Sequence, residues 1–366
     1  MAPFREIVST DAGFSAGSYV YKIISTSPRQ DPLTYSLTDQ LALISSDNSL
    51  RFLTADLQPD GHVAKAHDNI TCLERANDAP SNVVATAGRD GLVKFWDKRS
   101  KQRVLQIESP LVCDAQKNFV AAGVENPEDG PNSSPVYIWD QRNISAPLHS
   151  YIDSHTDTVT NLSLHPSLPN LLLSSSTDGL VNVFDSTQVD EDDALYQVIN
   201  HGSAIAHAGF LYPGTDIYTI GTDETSQKED EEEPAPKVCG DVREELGCEY
   251  VIDLCWVGPQ PCVAAGRHSE KQATLTPITK GTNGPLDYAF DLANATSLAG
   301  AHGEEIVRDL FTDVHTHTTY TCGEDGQIRA WKISDSADMH EGDGAASVKK
   351  KRKEKKDKDK ARFKPY

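Results

Sequence analysis

Three histidines, His67, His155 and His302, each stand 29 residues before an aromatic side chain: Trp96, Phe184 and Trp331. Inside each interval lie an aspartate beside a glycine and, four residues earlier, a hydroxyl. These pairs are Asp90 with Thr86, Asp178 with Ser174, and Asp325 with Thr321. Histidine, carboxylate and hydroxyl in one neighbourhood are the parts of a proton relay or a metal site. Their recurrence argues against both uses. A catalytic centre is assembled once, whereas here each set is confined to its own repeat and returns with it. A weaker copy joins His201, Thr219 and Asp223, where the second half of the unit has degenerated.

Other patterns carry less chemistry. His315 and His317 have an HxH spacing that would place both rings on one face of a strand. No third ligand is evident near them, and the sequence implies neither metal nor cofactor. It contains no GxSxG, no GxxxxGK(S/T) and no HExxH, so the chain reads as noncatalytic. Two stretches point to binding. Trp96-Asp97-x-Arg99 and Trp139-Asp140-x-Arg142 repeat at an interval of 43 residues. Lys349-Lys350-Lys351-Arg352-Lys353 is a cationic cluster of the nuclear-import type, which also suits weak contact with RNA through counterion release.

The elements that must position these residues are short strands. VVATAG, LLLSSS and TYTCG are apolar or hydroxyl-rich, while LVKFWD, LVNVFD and QIRAWK alternate as half-buried strands do. The Asp-Gly pairs between them read as hairpin turns, because glycine reaches positive φ at no steric cost. Helical periodicity is absent before the tail. Of 366 residues, 38% are apolar and no apolar run approaches the length of a membrane span. No secretory signal is evident in MAPFREIVSTDAGF. Seven cysteines, with no CxxC pair, include Cys72, Cys113 and Cys255 in apolar runs, and read as buried reduced thiols. The net charge of −21 is unevenly placed: from Lys349 onward eleven Lys/Arg oppose three acids. The body is therefore strongly acidic, which disfavours a general grip on nucleic acid and favours basic protein partners.

On these residues the chain resembles the WD-repeat β-propellers, over roughly residues 15–335. Tail, repeat pattern and length together are similar to the WD repeat-containing protein 89-like proteins of fungi. The resemblance implies an all-β fold, a seven-bladed propeller over 19–335 with four strands per blade and a disordered basic C-terminal tail at 336–366. The expected blades are 19–65, 66–105, 106–150, 151–195, 196–245, 246–297 and 298–335. It also implies that residues 1–18 supply an outer strand closing the ring. The acid-rich stretch 224–236 reads as a loop inserted in the fifth blade. Within a blade the family joins histidine, hydroxyl, aspartate and tryptophan by hydrogen bonds. The complete sets here would be His67/Thr86/Asp90/Trp96 and His302/Thr321/Asp325/Trp331, with His155/Ser174/Asp178 one bond short because Phe184 has no N–H.

Two functions follow. One is a noncatalytic scaffold in the nucleus or nucleolus, with the cytoplasm as the alternative. It would act as a monomer within a larger complex engaged in ribosome assembly or chromatin work, away from membranes. The other draws on the tandem WDxR pattern, which resembles substrate receptors of cullin-four ubiquitin ligases. There Arg99 and Arg142, with Asp97 and Asp140, would dock the ligase adaptor.

Overall fold

In the computed structural model the described residues are 4–27, 29–31, 33–75, 82–108, 112–116, 119–125, 132–222, 239–284 and 286–333. The Asp-Gly pairs make tight turns between strands. Asp178 and Asp325 accept the backbone N–H groups of Leu180 (2.9 Å) and Gln327 (3.0 Å), and the glycine that follows each takes positive φ. At Gly326, with φ +70°, a Cβ would also lie 2.6 Å from the carbonyl oxygen of Ser18, so glycine serves both the turn and the contact with the first blade.

Each hairpin extends into an antiparallel sheet. The second blade shows the plan: Ile70–Arg75, Val83–Gly88, Leu92–Asp97 and Arg103–Glu108 pair in sequence order. The first strands of the seven sheets are Val20–Ser25, Ile70–Arg75, Val112–Gln116, Val159–Leu164, Ile205–Phe210, Tyr250–Val257 and Val307–Asp313. First strands of neighbouring sheets touch, those of the last and first included, and the fifth and sixth approach through His207 and Asp253, so the seven line a central channel. The fold is an all-β, seven-bladed propeller. Among the described residues the fifth blade shows two strands, Ile205–Phe210 and Ile217–Gly221.

The core lies between sheets. Seven apolar clusters fill the seven gaps. Ile24, Ile44 and Phe52 of the first sheet pack on Leu73, Val84 and Trp96 of the second. Ile23, Leu41 and Leu43 pack on Tyr320, Cys322 and Ile328 of the last. This stacking changes what alternation means. The strand LVKFWD reads as half-buried, yet Lys94 is buried with its neighbours, because a middle strand is covered on both faces. The outermost strand Leu195–Asn200 pairs with Leu180–Asp185, so the fourth blade extends past residue 195. Cys72, Cys255, Cys262 and Cys322 are buried, whereas Cys239 is exposed. Among the described residues no helix is long and apolar enough to cross a membrane.

The last sheet takes its fourth strand from the other end of the chain. Phe4–Thr10 runs antiparallel to Ile328–Ile333, with Phe4 opposite Ile333 and Thr10 opposite Ile328. Phe4 is 6% exposed and packs among Leu298, Leu310 and Trp331. Phe4→Ala should therefore cost about 3 kcal/mol, as for a central core phenylalanine. Ile7→Ala, at a side chain 44% exposed, should change stability by less than about 0.5 kcal/mol. Urea unfolding of the two variants checks the contrast.

Candidate functional site

The repeated side chains meet inside their blades. In the second, the Trp96 indole N–H donates to Thr86 Oγ1 at 2.8 Å. Thr86 Oγ1 lies 2.8 Å from His67 Nε2, and His67 Nδ1 lies 2.8 Å from Asp90 Oδ1. The indole can only donate and the carboxylate can only accept, so on the neutral ring Nδ1 carries the proton and Nε2 accepts. Thr86 accepts from Trp96 and gives its own proton to Nε2, and His67 is the neutral Nδ1–H tautomer donating to Asp90. The last blade repeats the path through Trp331, Thr321, His302 and Asp325 at 3.0, 2.8 and 2.7 Å. In the fourth, Ser174 lies 2.7 Å from His155, and His155 3.0 Å from Asp178. Phe184 supplies no donor, and Asn182 Nδ2 instead donates to Ser154 O at 2.7 Å. In the weaker copy, His201 Nδ1 meets the Ser203 hydroxyl at 3.1 Å, and Asp223 lies outside the described residues.

A fifth member of these sets went unread in the sequence. Lys94 Nζ bonds Asp90 Oδ2 at 2.8 Å and the carbonyl of Ala66 at 2.8 Å. Arg329 Nη1 bonds Asp325 Oδ2 at 2.7 Å, and its Nε lies 3.2 Å from Glu6 of the closing strand. The signal was a cation four residues after the turn aspartate. Both oxygens of each carboxylate are thus taken. Burial raises the Asp325 carboxyl, but the bond from His302 and the nearby charges outweigh it and hold it at about 2. Burial lowers His67 and His302 despite their carboxylate partners. A histidine buried on both ring nitrogens, one facing a filled carboxylate, is a bonded strut with no open position for a substrate.

His315 and His317 fall in the turn between Val307–Asp313 and Thr318–Gly323, not on a strand as their spacing suggested, because Asp313 Oδ1 accepts the N–H groups of His315 and Thr316 at 2.8 Å and folds the chain back. Among the described residues no group of three or more His, Cys, Asp or Glu is arranged to hold a metal.

Arg99 and Arg142 follow the third strands of adjacent, equivalent sheets, so they emerge on the same face. Their side chains are 73% and 70% exposed. Arg142 is clasped by Asp140, with Nε–Oδ1 at 2.9 Å and Nη2–Oδ2 at 2.6 Å. That bond holds the Asp140 carboxyl down at about 2. Arg99 is looser, its Nη2 lying 3.5 Å from Asp97 Oδ2. Asp97 spends its other oxygen on the N–H groups of Arg99 (2.9 Å) and Ser100 (2.8 Å). The loop between them is anchored: Lys98 is buried beside Asp39, and Lys101 lies over the Phe52 ring at 4.2 Å. Lys349, Lys350, Lys351, Arg352 and Lys353 lie outside the described residues, as does 224–236.

A second feature shows itself only once the first strands are set in register. Each first strand carries a valine or isoleucine at one register, and two residues on stand Lys22, Cys72, Asp114, Asn161, His207, Asp253 and Asp309. Six of the strands bulge at that point. The bulge turns Lys22, Asn161, His207, Asp253 and Asp309 toward the channel, each partly exposed. The common sign was the apolar β-branched residue followed, two positions on, by a polar or sulfur-bearing one.

The WD domain, G-beta repeat family matches residues 59–97 and 145–185. An uncharacterized WD repeat-containing protein of Saccharomyces cerevisiae is 39% identical over 266 residues, covering 69% of this chain and 64% of that protein. A second, from Schizosaccharomyces pombe, is 30% identical over 294 residues, covering 74% of this chain and 85% of its own. A chain in a crystal structure of the mitotic checkpoint complex superposes with a TM-score of 0.59 at 13% identity, over 86% of this chain and 95% of its own. That likeness is one of fold.

The bond paths predict graded losses. Trp331→Phe, which gives the last blade the chemistry of the fourth, should cost about 1–2 kcal/mol, and Thr321→Val, which strands both the indole and His302 Nε2, about 3 kcal/mol. The pH dependence follows from His302. An unfolded histidine takes up a proton below its ordinary value of 6.5, whereas the buried ring resists it. The stability His302 contributes is complete above that value and lost as pH falls through the lower folded one. The advantage of the wild type over His302→Asn in urea should be greatest near pH 8 and shrink toward about pH 5.

Proposed function

The chain belongs to the WD-repeat family, and from that premise we propose that it is a noncatalytic scaffold that assembles other proteins in the nucleus. WD-repeat proteins generally act as protein-interaction scaffolds. The observation that carries the reading is the fate of the histidine–aspartate pairs: each candidate for proton transfer is bonded inside a blade, and what the ring offers outward is two faces of loops. An acidic body selects basic partners by charge complementarity, as ribosomal proteins or histones would supply. The cluster Lys349–Lys353 supplies the import signal and a point of weak, salt-sensitive contact with RNA.

The second reading, a receptor for a cullin-four-type ligase, is favoured by one observation. Arg99 and Arg142 stand exposed on one face of adjacent blades. Arginine's planar fork suits such docking. Against it, Asp140 already holds the Nε–Nη2 edge of Arg142 and leaves a partner only the Nη1 side.

Affinity purification from nuclear extract separates the two. The scaffold reading expects the same basic, assembly-related proteins to accompany the wild type and an Arg99→Ala/Arg142→Ala variant. Ligase components that accompany the wild type and vanish with the variant would replace it with the receptor. Replacement of Lys349–Lys353 by alanine should move a fluorescent fusion to the cytoplasm, and unchanged nuclear signal would remove the import role.

A further inference from the structure

The outer strand of each blade is the edge of its sheet, where unpaired backbone groups invite another strand. Most of these edges are guarded. Pro59–Val63 carries a proline, an aspartate and a glycine, Arg103–Glu108 bears a charge at each end, and His149–Tyr151 is short. Thr296–Ala299 and Phe4–Thr10 meet each other at Leu298 and Phe4. Leu195–Asn200 of the fourth blade, with the sequence LYQVIN, has no charge, proline or glycine. Nothing among the described residues pairs with its outer side. Tyr196 and Val198 are 74% and 50% exposed. The bond from His201 N–H to Gly179 O at 2.9 Å sets the phase of the ladder with Leu180–Asp185. Gln197 and Ile199 therefore turn their N–H groups inward, and Val198 turns its N–H and C=O outward.

The surface beside this edge is apolar and acidic. Two links bring the third blade to it. The Tyr151 hydroxyl donates to Gln188 O at 2.9 Å, and the Glu191 carboxylate accepts the N–H groups of Ile152 at 2.6 Å and Asp153 at 3.1 Å. Ile152 and Val189, both exposed, thus stand close to the short helix Glu191–Ala194, which leads straight into the strand. Asp190 caps that helix through the N–H groups of Asp192 and Asp193. The carboxylates of Asp153, Asp192 and Asp193 have no ion pair among the described residues.

We propose that Leu195–Asn200 takes an extended, basic segment of a partner protein as an added strand of the fourth blade. The inference rests on the scaffold reading, which supplies basic partners, and says where one of them sits. The outward N–H and C=O of Val198 continue the ladder into the segment, which gives affinity without regard to sequence. Apolar residues of the segment cover Tyr196 and Val198, and its lysines or arginines meet Asp153, Asp192 and Asp193, which selects for positive charge. A second copy of this chain is a poorer occupant. Each copy carries a net charge of −21, and like charges oppose their approach.

The probe is a short fluorescent peptide of alternating lysine and valine, titrated onto the full chain and followed by anisotropy. Val198→Pro removes the outward N–H and leaves the bonds to Leu180–Asp185 in place, so it should weaken binding about tenfold or more. Asp192→Lys/Asp193→Lys should weaken it by a similar factor, and a glutamate–valine peptide should not bind. Equal binding by Val198→Pro and wild type overturns the proposal. In the wild type the Val198 amide should exchange freely with deuterium and gain about tenfold or more protection with saturating peptide. That measurement decides even if Val198→Pro fails to fold, and unchanged exchange overturns the proposal. Protection in the free protein that vanishes when Lys349–Lys353 are replaced by alanine, or on dilution, gives the edge to the chain's own tail or to a second copy and overturns it likewise. Failure at this edge while basic proteins still accompany the chain from nuclear extract removes the site and leaves the scaffold reading. Peptide held at the edge with no such proteins recovered removes the scaffold reading alone.

Discussion

Among the described residues most sheets are covered on both faces by their neighbours, so a polar side chain on a middle strand is largely cut off from water. Most such groups find their partners inside the blade or at the seam with the next, although Asn182 Oδ1 has none. The path from indole to hydroxyl to imidazole to carboxylate answers that demand. It ends on a lysine or arginine that brings the carboxylate's second oxygen into the same network. The fourth blade shows what happens when one member is lost: Phe184 removes the donor, and Asn182, at the position of Lys94 and Arg329, bonds a backbone carbonyl instead.

The same constraint explains why histidines and aspartates that look catalytic in a linear chain are not arranged for catalysis. Proton transfer needs a ring nitrogen or a carboxylate oxygen left for a substrate. Here the acceptor-only carboxylate sets the tautomer and the basic side chain occupies its second oxygen. On the loops Arg99 and Arg142 stand exposed beside Asp97 and Asp140.

Much of this was legible because the blade sets use distinctive residue types at fixed intervals. His67, Thr86, Asp90 and Trp96 recur in kind as well as in position, and so does the hairpin between them. The channel layer was hidden for the opposite reason. Lys22, Cys72, Asn161, His207 and Asp253 share no chemistry, and only the bulge that follows a valine or isoleucine aligns them. Lys94 was hidden by its type, since a lysine in an alternating strand ordinarily marks the wet face. The clasp of Arg142 by Asp140 depends on the shape of a tight loop, which a two-residue spacing does not encode.

The pairing of Phe4–Thr10 with Ile328–Ile333 has a consequence for synthesis. On the ribosome Phe4–Thr10 emerges long before its partner Ile328–Ile333 is made. At roughly 5–20 residues per second, the nascent amino terminus waits on the order of half a minute with its ladder groups unpaired. Six blades can form as the chain lengthens, but the seventh cannot be completed until its third strand has left the tunnel. A truncated or stalled chain exposes an unmatched apolar edge that a quality-control chaperone can recognise.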